Sequence, residues 1–306
     1  MSLLIHPGFH KTGTTWLQQQ LFSDTGYFHS MFSHEEIDSL FVRPHDLEFC
    51  RDTAEKLVSE RRSNDTNGGG KPIVDVISSE ILSGLIFTGS HTSKIIAERL
   101  AECCGGAKIL FTVRAQKPIT RSIYFQYIKR GGRLDIEDFL TYRPEPGYGW
   151  FNPSVVAFDL LVRCYADLFG ADNVLVLPQE LLARDRNAFV SHIMKFAGGD
   201  GFGNGIEIED RQRESVSPPA SSVWLLRLGN LFREGPVNPN AIGSLNSMGN
   251  MMHSLAYSWK WGDKAAKKKM DAIIAKHMTG QFGASNRRLQ AFCPVDLASL
   301  GYEMAD

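Results

Sequence analysis

The chain is expected to be an α/β protein with a central parallel sheet flanked by helices, and three observations carry that expectation. Short apolar runs recur along its first 180 residues with helix-like segments between them. The first run enters the first helix through a loop with two glycines, Gly8 and Gly13. The composition, 43% hydrophobic and 22% charged over 306 residues, supplies a substantial core. Strands joined by helical crossovers lie parallel, because a tight turn can only join antiparallel neighbours. One domain is expected, with its core over about 1–200 and a loop-rich and helical part over 201–306.

The elements follow in order. Leu3-Leu4-Ile5 stops at His6-Pro7-Gly8 and reads as the first strand; residues 14–22 place Trp16, Leu17 and Leu21 on one face of a helix. Over 46–62 the apolar positions Leu47, Phe49, Leu57 and Val58 alternate with charges, as on a surface helix, and 64–70 break the chain. Residues 73–77 form the second strand and 93–104 a helix. Residues 108–114 form a third, buried strand, bounded by Gly105-Gly106 and Pro118, with a helix over 119–130. Val155, Phe158, Val162, Tyr165 and Phe169 repeat every three or four residues and predict a helix over 154–169. The run 173–177 is the fourth strand. Beyond residue 200 the periodicity weakens, and 198–205 and 235–250, rich in Gly, Asn and Pro, read as surface loops near the working face.

Composition excludes several classes. Thirty-three basic against 34 acidic residues leave no global field for a nucleic-acid backbone. No stretch approaches the roughly 18 consecutive apolar residues of a membrane span, and the N-terminus reads as a strand rather than a secretory signal. The five cysteines lack paired metal spacing and read as reduced, buried thiols, which points to the cytoplasm.

The chemistry concentrates in Gly8-Phe9-His10-Lys11-Thr12-Gly13-Thr14-Thr15. Two glycines five positions apart between a strand and a helix turn backbone N–H groups toward an oxyanion, and the helix dipole adds to the attraction. A nucleotide triphosphatase places lysine directly after the second glycine and then a hydroxyl on Mg²⁺. Here Thr14 occupies that position and the lysine, Lys11, lies inside the loop. A metal is dispensable when the moving group carries little charge, and a transferring SO₃ is neutral where PO₃ is an anion.

The string Lys11-Thr12-Gly13-Thr14-Thr15-Trp16 closely resembles the phosphosulfate loop of sulfotransferases that use 3′-phosphoadenosine 5′-phosphosulfate (PAPS). The resemblance implies a P-loop NTPase-like sulfotransferase fold, PAPS as donor and its desulfated form (PAP) as product, with no metal. It implies that Lys11, Thr12, Gly13, Thr14, Thr15 and Trp16 contact the donor. A second site in that family pairs an arginine at a strand end with a serine eight residues later, matched here by Arg114 and Ser122, which are expected to hold the 3′-phosphate. Ser122 is expected about one turn into its helix, and Arg121 to be a surface charge or secondary contact. More loosely, 173–182 resembles the family's core strand and acidic turn, and 285–289 with 296–302 resembles bacterial members. Two family features are missing: Gln179 stands where cytosolic animal members have an adenine-stacking tyrosine, and the late Arg-Lys-Gly clamp is absent. Adenine packing is therefore expected on Trp16, with Arg211 and Arg213 as candidates for a third phosphate contact.

Transfer to an alcohol needs a group to take the hydroxyl proton. No histidine follows the second strand; Glu80 stands there, at the carboxyl end of a parallel strand, and resembles the glutamate base of glycan-modifying and many bacterial members. His10 is the competing base, although its place in the loop suits it to shaping the cradle through a carbonyl. His91 suits a helix start, and 264–269 a solvated helix face. The acceptor is expected to be a small molecule or glycan, with a carbohydrate or glycolipid favoured. Tyr142, Tyr148, Trp150 and Phe151 are available to stack on a sugar or a phenol. The alternatives are a phenol or alcohol sulfotransferase, a P-loop small-molecule kinase using ATP and Mg²⁺ with Asp75 as its metal-holding acid, and a non-catalytic nucleotide-binding protein. Sequence leaves the oligomeric state open.

Overall fold

A computed structural model describes residues 2–23, 26–62, 73–141, 151–198, 217–239, 241–242 and 245–305. The chain divides into two compact units, one drawn from 1–115, 157–211 and 282–306 and the other from 116–156 and 212–281. Arg211, Arg213, Tyr142, Tyr148 and Trp150 lie outside the described residues.

The first unit holds a five-stranded, wholly parallel sheet: β1 (Leu3–His6), β2 (Phe28–Ser30), β3 (Val74–Ser78), β4 (Lys108–Val113) and β5 (Val174–Pro178), in the order β2-β3-β1-β4-β5. The four strands expected from apolar runs are present because the sheet is covered on both faces, which removes the polar alternation of a half-exposed strand. Leu4, Val76 and Leu110 share one core cluster with Leu17, Phe189 and Ile193. Phe111, next to Leu110 and so on the opposite face, meets Phe9 and Tyr165 at ring-centroid distances of 5.3 and 5.2 Å. The strand β2 was not expected: it is three residues long, Phe-His-Ser, and too short to show a period.

After β1, the short helix α1 (Thr14–Trp16) widens into a π-turn, Leu17–Leu21, closed by the Phe22 N–H on the Leu17 carbonyl at 2.8 Å. α2 (His34–Ile37) starts from a Ser33/Glu36 capping box. α3 (Arg51–Arg61) starts five residues later than the expected 46. α4 is Ser93–Cys103. In the second unit, α5 (Gln116–Lys129) and α6 (Ile136–Thr141) follow β4. The chain re-enters the first unit with α7 (Phe158–Phe169), preceded by a 3-10 turn, Pro153–Val156, where a continuous helix from 154 was expected. α8 (Gln179–Arg184) and α9 (Arg186–Gly198) follow β5. α10 (Val223–Gly229), α11 (Asn246–Ser258) and α12 (Asp263–Met278) belong to the second unit, and α13 (Gly283–Gln290) returns to the first. α11 overturns part of the loop expected over 235–250.

The strand order fixes where a ligand can sit. The connection leaving β1 runs to β2 on one side, and the connection leaving β4 runs to β5 on the other. The carboxyl ends of β1 and β4 therefore open a crevice at the point where the winding reverses, the general ligand position of open α/β sheets. Gly8–Thr15 leaves one side of this crevice and Arg114 the other.

Among the described residues, no helix is long and apolar enough to cross a membrane.

Candidate active site

The loop is built from its two ends. Phe9 anchors it in the core, 4.7 Å from the Phe158 ring. Lys11 (φ 66°) and Gly13 (φ 99°) both take positive φ, with Thr12 of ordinary sign between them. This alternation curls consecutive N–H groups around a concavity that fits an anion. Glycine supplies the left-handed geometry freely at 13, whereas a lysine at 11 adopts it at a cost on the order of 1 kcal/mol. The N-cap residue of α1 is Gly13, which has no side chain to accept from the first-turn amides.

The loop is closely packed. A Cβ on Gly8 would stand 2.5 Å from Thr14 Oγ1 and 2.9 Å from the His6 ring. Thr14 is buried and its hydroxyl has no hydrogen-bond partner among the described residues, a state that normally calls for a ligand or water. The cradle thus presents main-chain amides, one orphaned hydroxyl and a lysine, a donor set that fits a phosphate or sulfate oxyanion.

Below the loop runs a buried chain of hydrogen bonds whose direction the chemistry dictates. Thr12 Oγ1 donates to the Phe9 carbonyl at 2.6 Å, which uses its single proton. Its 2.8 Å contact with Thr112 Oγ1 is therefore donated by Thr112. Thr112 then accepts from His6 Nε2 at 3.2 Å. Complete burial holds His6 neutral, its pKa lowered to about 3, so Nδ1 accepts from Ser78 Oγ at 2.8 Å. Ser78, His6, Thr112 and Thr12 thus tie the carboxyl ends of β3, β1 and β4 to the loop. The Thr12 hydroxyl faces inward, and this residue offers a ligand only its backbone N–H.

Glu80 opens a 3-10 turn, Glu80–Ser83, directly after β3. Two contacts join this turn to the loop: Ser83 Oγ, which donates to the Glu80 carbonyl at 2.8 Å, lies 3.3 Å from the Gly8 carbonyl, and His10 Nε2 donates to the Gly84 carbonyl at 3.1 Å. Glu80 is half-buried at the rim of the loop. His10 spends its Nε2 proton on a carbonyl, as expected of a residue that shapes the cradle.

Across the crevice, the chain after Arg114 is pinned by Glu180. Its Oε1 accepts the Ala115 N–H at 3.0 Å and its Oε2 accepts the Tyr302 hydroxyl at 3.1 Å. Burial first, then Glu180, push the Tyr302 hydroxyl well above the ordinary tyrosine range, while the positive charge of Arg114 acts in the opposite sense. The tail carrying Tyr302 is held by buried Asp159 on α7, which accepts from Ser285 and, at 2.6 Å, from Arg288 Nε.

Ser122 is the seventh residue of α5, nearer two turns into the helix than one, because α5 begins at Gln116. It belongs to the second unit and Arg114 to the first. Arg121 forms an ion pair with Asp271. Trp16 packs edge-on against Phe189, with the Arg186 guanidinium 5.8 Å from its ring centre. Thr15 is exposed, and His91 lies in the exposed turn before α4. Asp75, the acid a kinase would need, is fully buried and bonded to His29 Nδ1 at 2.9 Å. It pairs with Leu3 in register, three residues and so about 10 Å back along the sheet from the carboxyl end of β3.

Sequence reasoning missed His6, Thr112 and Glu180 as parts of this site. The available signal was polar side chains at 6, 78 and 112 inside otherwise apolar strands.

No family model matches the chain, and no curated protein matches it. Among solved structures it is similar to a sulfotransferase from Alicyclobacillus acidocaldarius, with a TM-score of 0.49 at 16% identity over 87% of this chain and 99% of that one. It is also similar to a mouse sulfotransferase complexed with PAP, with a TM-score of 0.35 at 14% identity over 94% of this chain and 88% of that one.

Proposed function

We propose that the protein transfers a sulfuryl group from PAPS to an acceptor hydroxyl. The observation that carries this reading is the anion cradle of residues 8–15 at the winding reversal, with its lysine inside the loop and Asp75 displaced from it. The donor would supply an activated, nearly neutral sulfuryl group. Lys11 and the amides of 12–16 hold and orient its 5′-phosphosulfate end, where one preorganised donor is typically worth about 2.7–4 kcal/mol. The Thr14 hydroxyl gains a partner in the same oxyanion. Arg114 holds the 3′-phosphate; Trp16 lies beside the adenine; and Glu80 takes the proton of the acceptor hydroxyl. A glycan is the favoured acceptor class, because Glu80 resembles the base of glycan-modifying enzymes.

Two measurements test this reading. Calorimetric titration should show PAP binding without Mg²⁺ and more tightly than ATP with Mg²⁺; the reverse order would establish a kinase-type site. Radiolabelled sulfate transfer to a panel of sugars and phenols should be lost in Lys11→Ala while its melting temperature stays near that of the parent. Unimpaired transfer would refute the role of Lys11.

A further inference from the structure

The second unit carries an apolar surface that the site described above does not use. α10 and α11 pack backbone to backbone: a Cβ on Gly249 would stand 2.8 Å from the Gly229 carbonyl, and His253 Nε2 bonds to Asn230 Oδ1 at 2.8 Å. At about 100° per residue, Gly249, His253 and Ala256 form the arc of α11 that faces α10. The next arc round the helix carries Met248, Met251 and Leu255, all exposed, Leu255 at 56%. The apolar face of α11 is thus wider than its partner covers, and the helix contains no Asp, Glu, Lys or Arg.

The exposed apolar residues continue onto α10 and past the end of α11. Trp224 and Leu228, one turn apart on α10, are exposed, as are Trp259 and Trp261, the latter at 84%. Ser221, just before α10, reaches the Trp259 carbonyl at 3.4 Å, which brings the start of α10 beside the Trp259–Trp261 segment. Three of the five tryptophans of the chain therefore stand exposed within 38 residues. Soluble surfaces do not gather aromatic and aliphatic side chains this way without a partner.

Charge identifies the partner. Residues 260–269 hold five lysines, Lys260, Lys264, Lys267, Lys268 and Lys269, against the single Asp263, in a chain whose net charge is −1. All five are exposed, and α12 carries the last of them only about 10 Å along its axis from Trp261. Tryptophan beside an aliphatic arc, with lysine at its border, is the composition of a helix lying in the headgroup region of a bilayer. A second copy of the chain fits less well, since a two-fold interface on this face would set one lysine cluster against the other.

We infer that the α10–α11 face docks on the surface of an anionic lipid bilayer, with Trp224, Trp259 and Trp261 at headgroup level and the lysines on acidic headgroups. The inference is independent of the proposed transfer reaction.

The test uses the full chain and extruded vesicles of phosphatidylcholine, alone or mixed equally with phosphatidylglycerol, read by co-sedimentation and tryptophan emission. The parent should partition to the mixed vesicles with a blue-shifted emission and far less to the neutral ones. Each lysine at the surface gives roughly a five-fold gain, so Lys264→Gln/Lys267→Gln/Lys268→Gln should lower partitioning by more than roughly tenfold. Met251→Ser/Leu255→Ser should lower it comparably. Because these side chains are exposed, all variants should keep the parent's circular dichroism and melting temperature. Loss in only one variant, or equal partitioning of parent and variants, would overturn the inference. So would a lipid-free dimer in sedimentation velocity that Met251→Ser/Leu255→Ser dissolves, which would assign the face to a second copy.

Discussion

Replacing His6 by glutamine probes the buried chain beneath the loop. Glutamine keeps one donor and one acceptor but cannot take up a proton in the acid range. In the parent, His6 is neutral when folded, with its pKa lowered to about 3 by burial, whereas the unfolded chain carries a histidine near about 6.5. The unfolded state therefore binds the extra proton first as pH falls. Stability from this group is complete above about pH 6.5, declines below it, and levels off only near the folded value. Between pH 7 and pH 5 the parent should lose about 2 kcal/mol through His6 alone, at about 1.36 kcal/mol per pH unit below 6.5. His6→Gln should lack that component, although imperfect hydrogen bonding to Ser78 and Thr112 lowers its stability at pH 7 by about 1–3 kcal/mol. Urea unfolding of both proteins at the two pH values provides the measurement, and the difference of differences cancels His253, His192 and the carboxylates. An identical loss in parent and variant would show that His6 is not held neutral, and the direction assigned to its bond with Ser78 would fall with it.

Other substitutions report on the loop and its surroundings. Gly8→Ala forces a methyl group against Thr14 Oγ1 and the His6 ring; a destabilisation of about 1–3 kcal/mol in urea is expected, with loss of PAP affinity. Unchanged binding would show that the cradle can open without consequence. Glu80→Gln should bind PAP as the parent does yet lose turnover by about 10²–10⁴-fold, the usual worth of a general base, and normal turnover would move that role elsewhere. Arg114→Ala should weaken adenosine 3′,5′-bisphosphate while sparing the 5′-monophosphate in parallel titrations; an equal loss for both would separate Arg114 from the 3′-phosphate.

Much of the first unit was legible in the sequence because its sheet is buried on both faces. Leu3-Leu4-Ile5 and 108–113 have no polar alternation to confuse the reading, and the glycines between strand and helix mark the working end. The failures have local causes. At β2, one apolar residue in three leaves no pattern. α11 is written in Gly, Asn, Ser and Met, a loop-like composition that becomes helical through close packing of Gly249 on Gly229. At the candidate site, residue type and spacing single out the loop and Lys11, while Glu80 rests on its strand-end position and on the family resemblance. The supports could not be read the same way: His6 meets Thr112 only because β1 and β4 are neighbours, and Glu180 meets Ala115 only because β5 lies beside β4. Strand order is a property of the assembled sheet, and a one-dimensional pattern does not carry it.

The last stretch of the chain, though far from the loop in sequence, governs when the first unit can be completed. The Val176 N–H, on the outer edge of β5, is taken by the Phe292 carbonyl at 2.9 Å, and buried Asp159 pairs with the cationic Arg288. During synthesis, β5 emerges from the ribosome more than a hundred residues before those groups. At ~5–20 residues per second, the β5 edge and the Asp159 carboxylate wait on the order of ten seconds for these partners. Nascent chains of this protein should therefore lean on chaperones until residues 288–292 have been made.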